Sequence, residues 1–145
     1  MAFRFPLATV LRFRDNVERR EELALQKIVQ EIARTRLQIE QLNAAIVQAQ
    51  ADRNKSLLQS ISAFQLQVMA RDVDAMIDRK KALIESLVPL EQKRQTQMLA
   101  YQAAHRARQM LSDMATRQRD AYEQQQARAQ QKFLDDIFAA RAQRS

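Results

Sequence analysis

The chain has no cysteine, no glycine and no tryptophan, and only two prolines, Pro6 and Pro89, in 145 residues. Without cysteine it can form no disulfide, no thiolate metal site and no cysteine nucleophile. Without glycine it lacks the residue that most readily supplies left-handed backbone in tight turns. A fold with many short elements needs such turns, so the sequence predicts few turns and long helices.

The residues that usually carry enzyme chemistry are also scarce. His105 is the only histidine, so no histidine–carboxylate metal set is available, and we expect it to be a polar side chain on a helix. No glycine-rich loop is present to hold a phosphate group. Asp72, Asp74 and Asp78 alternate with basic residues, as on a solvated helix face. We therefore expect no enzyme activity, no cofactor, no metal and no small-molecule substrate.

The N-terminal stretch Phe3–Asn16 alternates arginines with large apolar side chains. This pattern is typical of a targeting peptide, of a helix that binds an anionic membrane surface, or of a helix that meets a protein partner. Acidic residues begin at Asp15 and the helical pattern continues without a break, which favours a retained helix start. No run in the chain approaches the roughly 18 apolar residues that cross a bilayer.

The net charge is +7, and most of the excess lies in residues 93–145, with ten basic and five acidic side chains. Such an excess favours an acidic protein, a nucleic-acid backbone or an anionic membrane as partner. No DNA- or RNA-binding motif is legible, so nucleic acid is disfavoured but stays open as an alternative. Salt-dependent retention on DNA would distinguish it from a protein partner.

Apolar residues repeat every seven positions in the first half of the chain, with a second set displaced by three. This is the seam of a coiled coil, and Pro6 suits the first turn of its helix. An upstream set is out of phase with the seam and is expected to unwind the supercoil locally. The seam comprises Leu25, Ile32, Ile39 and Ile46 with Ile28, Thr35, Leu42 and Ala49, and the upstream set is Val10, Val17 and Ala24.

A capping box marks the next helix start, because Ser62 and Gln65 have the S-x-x-Q spacing and Ile61 and Leu66 can form the hydrophobic staple. The second helix has its own seam, and we expect Pro89 to bend it rather than break it. Folding back near residue 59 places Ile28 near residue 91 and Val10 near residue 110. The second seam comprises Leu66, Met69, Val73, Met76, Leu83, Leu87, Leu90, Tyr101, Ala104 and Leu111.

The predicted fold is all-α, an antiparallel two-helix coiled-coil hairpin that forms a single domain over residues 1–145. Helix one spans about 6–57, with the turn at about 58–62 in the wider region 56–62. Helix two spans about 63–140 and is longer than helix one. Its C-terminal overhang, about 117–145, has no partner helix, and self-association through its apolar face is left open. That face comprises Phe133, Leu134, Ile137 and Phe138.

The N-terminal pattern F-x-F-x-L-x-x-V-L-x-x-R, followed by a helix with Glu21 and Glu22, resembles the FliJ family across essentially the whole chain. It comprises Phe3, Phe5, Leu7, Val10, Leu11 and Arg14. Members of that family are coiled-coil components of the flagellar protein export apparatus. The resemblance implies a non-catalytic stalk that associates with the hexameric export ATPase, the membrane export gate and export chaperones. It also implies a cytoplasmic location, peripheral to the inner-membrane apparatus. The equivalent stalk of virulence type III secretion is an alternative.

The resemblance also implies sites. An apolar stripe at the start of helix two binds the gate in the family, and the matching positions are Met69, Val73, Met76 and Lys80. Met69, Val73 and Met76 also belong to the predicted seam, so helix packing alone is the alternative for them. For the ATPase we hypothesise that the paired-helix end enters the ring, where arginines meet acidic surfaces, while the hairpin tip points to the gate. The candidate contacts are Phe3, Arg4, Phe5, Val10, Arg12, Arg14, Arg117 and Arg119.

Overall fold

Two helices make up the structure, a computed structural model that describes residues 2–144. Helix α1 spans Ala8–Leu57 and has 50 residues, and helix α2 spans Ala63–Arg144 and has 82. No strand occurs in the described part of the chain. The predicted all-α two-helix hairpin with a longer second helix is confirmed.

Helix α1 starts just after the first proline. Pro6 and Leu7 form a turn, the Ala8 amide donates to the Phe5 carbonyl at 3.1 Å, and the Leu11 amide donates to the Leu7 carbonyl at 2.9 Å. Because proline has no N–H to leave unpaired, its position immediately before the first helical turn costs no backbone hydrogen bond.

The connection between the helices closes without any residue at positive φ among residues 2–144. The Gln59 amide donates to the Ser56 carbonyl at 3.1 Å, which ends α1 in a tight turn. Ser62 Oγ then accepts from the Gln65 amide at 3.2 Å, and the Ser62 amide donates to Gln65 Oε1 at 3.4 Å. This reciprocal pair is the predicted capping box, and it supplies partners for two amides that the helix itself leaves unpaired.

The residues pack into two compact units. Unit 2 comprises residues 22–100, and its core holds Ile32, Val73, Leu90 and Thr35. The Thr35 hydroxyl donates to the Glu31 carbonyl at 2.9 Å, so this buried polar group keeps a partner. All members of the predicted seam are buried or half-buried, which confirms the heptad assignment.

Unit 1 comprises residues 1–21 with 101–145. Ala104 is its buried apolar residue, and Val17, Tyr101 and Leu111 are half-buried around the same face. Val10, the first member of the upstream set, is exposed. The upstream repeat is therefore only partly used in helix packing.

Helix α2 runs through Pro89 as one continuous helix, as predicted for a proline that does not break it. The ring is exposed, while the following Leu90 is buried. One turn earlier, the Ser86 hydroxyl donates to the Leu83 carbonyl at 2.6 Å. The seam therefore continues at Leu90, immediately after the proline, and the expected bend stays a prediction.

If the chain folded back symmetrically about residues 59–60, each residue would face its mirror position on the other helix. The pairing of α1 with α2 in unit 1 is displaced from that arrangement. A mirror pairs Phe3 with Thr116, whereas Phe3 packs on Tyr122, and the paired part reaches beyond the expected start of the overhang. In unit 2, Ile28 lines one depression together with α2 residues from Pro89 to Gln97. The Arg36 guanidinium donates to Glu91 at 2.8 Å, eight residues beyond the mirror position of Arg36. Interdigitation of side chains, rather than distance from the turn alone, sets the register of packed helices.

Candidate partner-binding surfaces

The N-terminal end of the chain is held to α2 by aromatic packing. The rings of Phe3 and Tyr122 lie with centroids 5.6 Å apart at 41°, within the range of favourable aromatic pairs. Phe3 and Phe5 are both half-buried, while Val10 stays exposed. This end of unit 1 is therefore a structured surface rather than a loose tail.

The five candidate arginines of unit 1 are all exposed. None of them forms an ion pair with a carboxylate in residues 2–144. The Arg14 guanidinium lies 5.9 Å from the centroid of the Phe13 ring, and Phe13 is itself an exposed aromatic side chain that the sequence pattern did not single out. The arginines are Arg4, Arg12, Arg14, Arg117 and Arg119.

A polar cluster joins the two helices of unit 1. Glu18 on α1 accepts hydrogen bonds from Nε and Nη2 of Arg108 on α2, the second at 3.4 Å. His105 Nδ1 lies 3.0 Å from Glu18 Oε1. The Glu18 side chain is only 12% exposed, so water competes weakly for its oxygens. The hydrogen bond from Arg108, then the one from His105, hold the pKa of Glu18 below its ordinary value.

His105 is therefore more than the isolated polar side chain that the sequence predicts. Besides contacting Glu18, its ring stacks on Tyr101 with centroids 6.0 Å apart. The cluster carries no hydrophobic signal, so heptad analysis passes over it. A carboxylate on α1 opposite a cation on α2 identifies it only once the register of unit 1 is known.

The four candidate gate residues lie along the first turns of α2. Val73 is only 4% exposed, so packing against α1 accounts for its side chain and leaves it almost no surface to offer a partner. Met69, Met76 and Lys80 are half-buried. The accessible part of the stripe is therefore formed by these three residues.

The tip of unit 2 exposes apolar side chains that the sequence analysis did not assign to any site. Leu58 is 89% and Phe64 72% exposed, and Leu57 and Val68 are exposed as well. A shallow depression of about 460 Å³ lies beside them. It is lined by Ser56, Ile61, Phe64, Gln65, Val68 and Met69.

The C-terminal part of α2 carries the expected apolar face. Phe133, Leu134 and Phe138 are exposed, and Ile137 is half-buried. Gln131 bonds Asp135 at 3.0 Å along the helix, which is the spacing of a solvated helix surface. The two phenylalanines thus have most of their surface open, at 65% each, whereas Leu134 and Ile137 are more covered.

Residues 3–145 match a family model described as Flagellar FliJ protein. The chain belongs to the FliJ family. Neither a curated relative nor a solved structure matches the chain. The match runs through the aromatic N-terminal end, the capping box and the C-terminal part of α2, so it includes every surface described above.

FliJ membership makes the chain a non-catalytic, helical component of flagellar protein export. Within residues 2–144, no helix is both long enough and apolar enough to cross a bilayer. No group of three or more acidic or histidine side chains in that part of the chain is arranged to hold a metal ion.

Proposed function

We propose that this FliJ protein is a stalk that binds the hexameric flagellar export ATPase, promotes its assembly and activity, and couples it to the export gate and to export chaperones. It acts in the cytoplasm, in peripheral association with the membrane-embedded apparatus. The family match is to flagellar proteins, which favours flagellar export over virulence secretion. The chaperone contact is part of the proposal without an assigned surface.

One observation supports the ATPase contact: the five candidate arginines of unit 1 are exposed, and none of them forms an ion pair with a carboxylate in residues 2–144. Arg4 adjoins Phe3, and Arg119 lies one turn before Tyr122, so part of this charge surrounds the aromatic pair. By contrast, Arg108 of the same unit is used internally by Glu18. Cations left unpaired at a structured end of the protein suit a partner with acidic surfaces.

In this mechanism the stalk catalyses no reaction itself. It acts by binding the assembled ATPase ring more tightly than the free subunits, and by contacting the subunits of the ring unequally. Unit 1 has two unlike helical segments, so it presents different residues to each subunit of a surrounding ring. A ligand that binds the assembled ring better than free subunits shifts the equilibrium toward the ring. Contacts that differ between subunits also bias which of them closes on ATP. Arginine steers such an association at long range, and salt weakens that steering.

Coupling to the gate uses the stripe at the start of α2. Its accessible residues Met69, Met76 and Lys80 are the proposed contacts, while Val73 holds the two helices together beneath them. Methionine suits such a surface because its flexible thioether adapts to different apolar partners.

The experiment is a titration of the cognate flagellar export ATPase with the full chain, following ATP hydrolysis and ring formation by sedimentation. Reversing the charge at two exposed positions, Arg12→Glu with Arg14→Glu, is expected to reduce both stimulation and binding by tenfold or more. The matched control is Lys27→Glu with Arg34→Glu, which makes the same charge change on exposed α1 positions of unit 2.

Circular dichroism establishes that both double variants keep the helicity of the parent protein. If the Arg12 and Arg14 variant stimulates the ATPase as well as the control does, the ring contact at this end is wrong. If neither variant nor the parent protein binds the ATPase, the stalk proposal itself fails.

A further inference from the structure

The tip of unit 2 combines strongly exposed apolar side chains with charge of one sign. Leu57 ends α1, Leu58 follows it in the connection, and Phe64 and Val68 lie in the first turns of α2, so four exposed apolar residues surround one connection. The segment 53–71 contains three basic residues and no acidic one.

The cations flank the apolar residues on both helices. Arg53 and Lys55 lie in the last turns of α1, and Arg71 lies in the third turn of α2. None of the three forms an ion pair with a carboxylate in the described residues 2–144. Asp52 adjoins Arg53 and Asp72 adjoins Arg71, whereas Lys55, the cation nearest the connection, has no carboxylate beside it in the sequence.

We propose that this tip binds an anionic lipid surface, with Leu58 and Phe64 entering the boundary between headgroups and acyl chains while Arg53, Lys55 and Arg71 meet lipid phosphates. Apolar side chains that project from a short connection can enter this boundary while the connection's polar backbone stays among the headgroups. Each nearby Lys or Arg adds attraction to a negatively charged leaflet. The complementarity of charge therefore selects an anionic membrane over a neutral one.

A protein partner that inserts a side chain into the neighbouring depression would cover fewer of the exposed apolar residues of the tip than a lipid surface would. The depression is lined by Phe64 and Val68, but neither Leu57 nor Leu58 lines it. A side chain inserted there leaves Leu58, at 89% exposed, still in water. A lipid surface covers the connection and the start of α2 together, which is why we favour it.

This inference does not depend on the ATPase contact, which lies in unit 1. A membrane-bound tip gives the protein a second attachment beside the proposed gate contact at Met69 and Met76. Two weak attachments on one chain raise the local concentration of each for its own target. The tip then serves to keep the protein close to the membrane.

The test is co-sedimentation of the full chain with vesicles of phosphatidylcholine alone and of phosphatidylcholine mixed with phosphatidylglycerol. We expect binding to the mixed vesicles only, weakened by added salt. Leu58→Glu is expected to reduce that binding by about tenfold or more, because it removes an inserted apolar group and adds a negative charge. The matched control is Leu99→Glu, at a position on α2 that is 65% exposed.

A second pair of variants isolates the electrostatic contribution. Lys55→Gln is expected to weaken binding about fivefold, following the contribution of one cation near an anionic surface. Lys81→Gln, an exposed position further along α2, removes the same charge and is expected to leave binding unchanged. All four positions are exposed, so circular dichroism should show the parent helicity in each variant.

Absence of binding to the mixed vesicles overturns the proposal and leaves the tip as a protein-binding surface. Equal losses in Leu58→Glu and Leu99→Glu also overturn it, because the lipid contact then lies elsewhere, with Phe3–Asn16 as the remaining basic and apolar stretch. ATPase stimulation by Leu58→Glu is measured in parallel and is expected to match the parent protein. The failure of one proposal is thereby distinguishable from the failure of the other.

Discussion

Arg108 donates to both carboxylate oxygens of Glu18 from the facing helix, joining residues 90 positions apart in the chain. The fork of the guanidinium matches the two oxygens, and this geometry gives stronger and more directional bonds than a single contact. His105 approaches the same carboxylate at 3.0 Å. In unit 1, where Ala104 is the buried apolar residue, this polar link is a specific determinant of how α1 and α2 face each other.

Glu18 makes the stability of the protein depend on pH in a defined direction. Its pKa is lowered from the ordinary value of 4.5, so the folded state favours the ionised form. The stabilisation is fully present above the unfolded-state pKa and is lost as pH falls through the lowered, folded-state pKa. Glu18→Gln is therefore expected to be less stable than the parent protein near neutral pH, with the difference shrinking in acid.

Urea unfolding followed by circular dichroism, from about pH 7 to about pH 3, checks this. The control is Glu22→Gln, at an exposed position one turn further along α1, which should follow the parent curve throughout. A difference between Glu18→Gln and the parent protein that stays constant with pH would contradict the assigned role of the carboxylate.

Ile32 lies in the core of unit 2 with 4% of its surface exposed. Ile32→Ala removes buried methyl and methylene groups and leaves a cavity, so we expect a loss of about 2–4 kcal/mol in the free energy of unfolding. Leu37→Ala makes a similar change at an exposed position of the same helix and is expected to cost less than about 0.5 kcal/mol. Similar losses in the two variants, measured by urea unfolding, would argue against the assigned seam.

Ser62 closes the start of α2 through its reciprocal bonds with Gln65. Ser62→Ala is expected to lower the free energy of unfolding by about 1 kcal/mol, because an amide of the first turn loses its acceptor. Ser60→Ala, in the same connection but outside the capping box, is the control and is expected to be neutral. Gln65→Ala removes the other bond of the pair, which the Ser62 amide donates to Gln65 Oε1, so adding it to Ser62→Ala is expected to lower the free energy of unfolding further.

Much of the fold can be predicted from the sequence, because the helices depend on local or periodic sequence patterns. The seven-residue repeat through Ile32 and Thr35 identifies residues that are buried in the structure. The Ser62–Gln65 spacing identifies the start of α2 to the residue. Both signals act within a few turns of helix, where backbone geometry fixes which side chains meet.

The polar and aromatic contacts between α1 and α2 can be predicted from the sequence only in part, because they depend on the register of the two helices. Glu18, His105 and Arg108 belong to no apolar repeat, and a small displacement of one helix separates them. The position of Phe3 depends on register in the same way, since a mirror about residues 59–60 places it opposite Thr116 and the structure pairs it with Tyr122. The exposed apolar residues of the tip could not be predicted from the sequence for a related reason, because the exposure of Leu58 depends on the exact residues at which the turn begins and ends.

Two helices have no third layer to cover them, and no large side chain in residues 2–144 is completely removed from solvent. Packing therefore restricts only a short set of positions along the seam, and most others need only to favour helix and remain soluble. Such a protein can accumulate substitutions over most of its length and keep the same fold. Among its descendants, exposed positions that resist change should then mark the contacts that partners require.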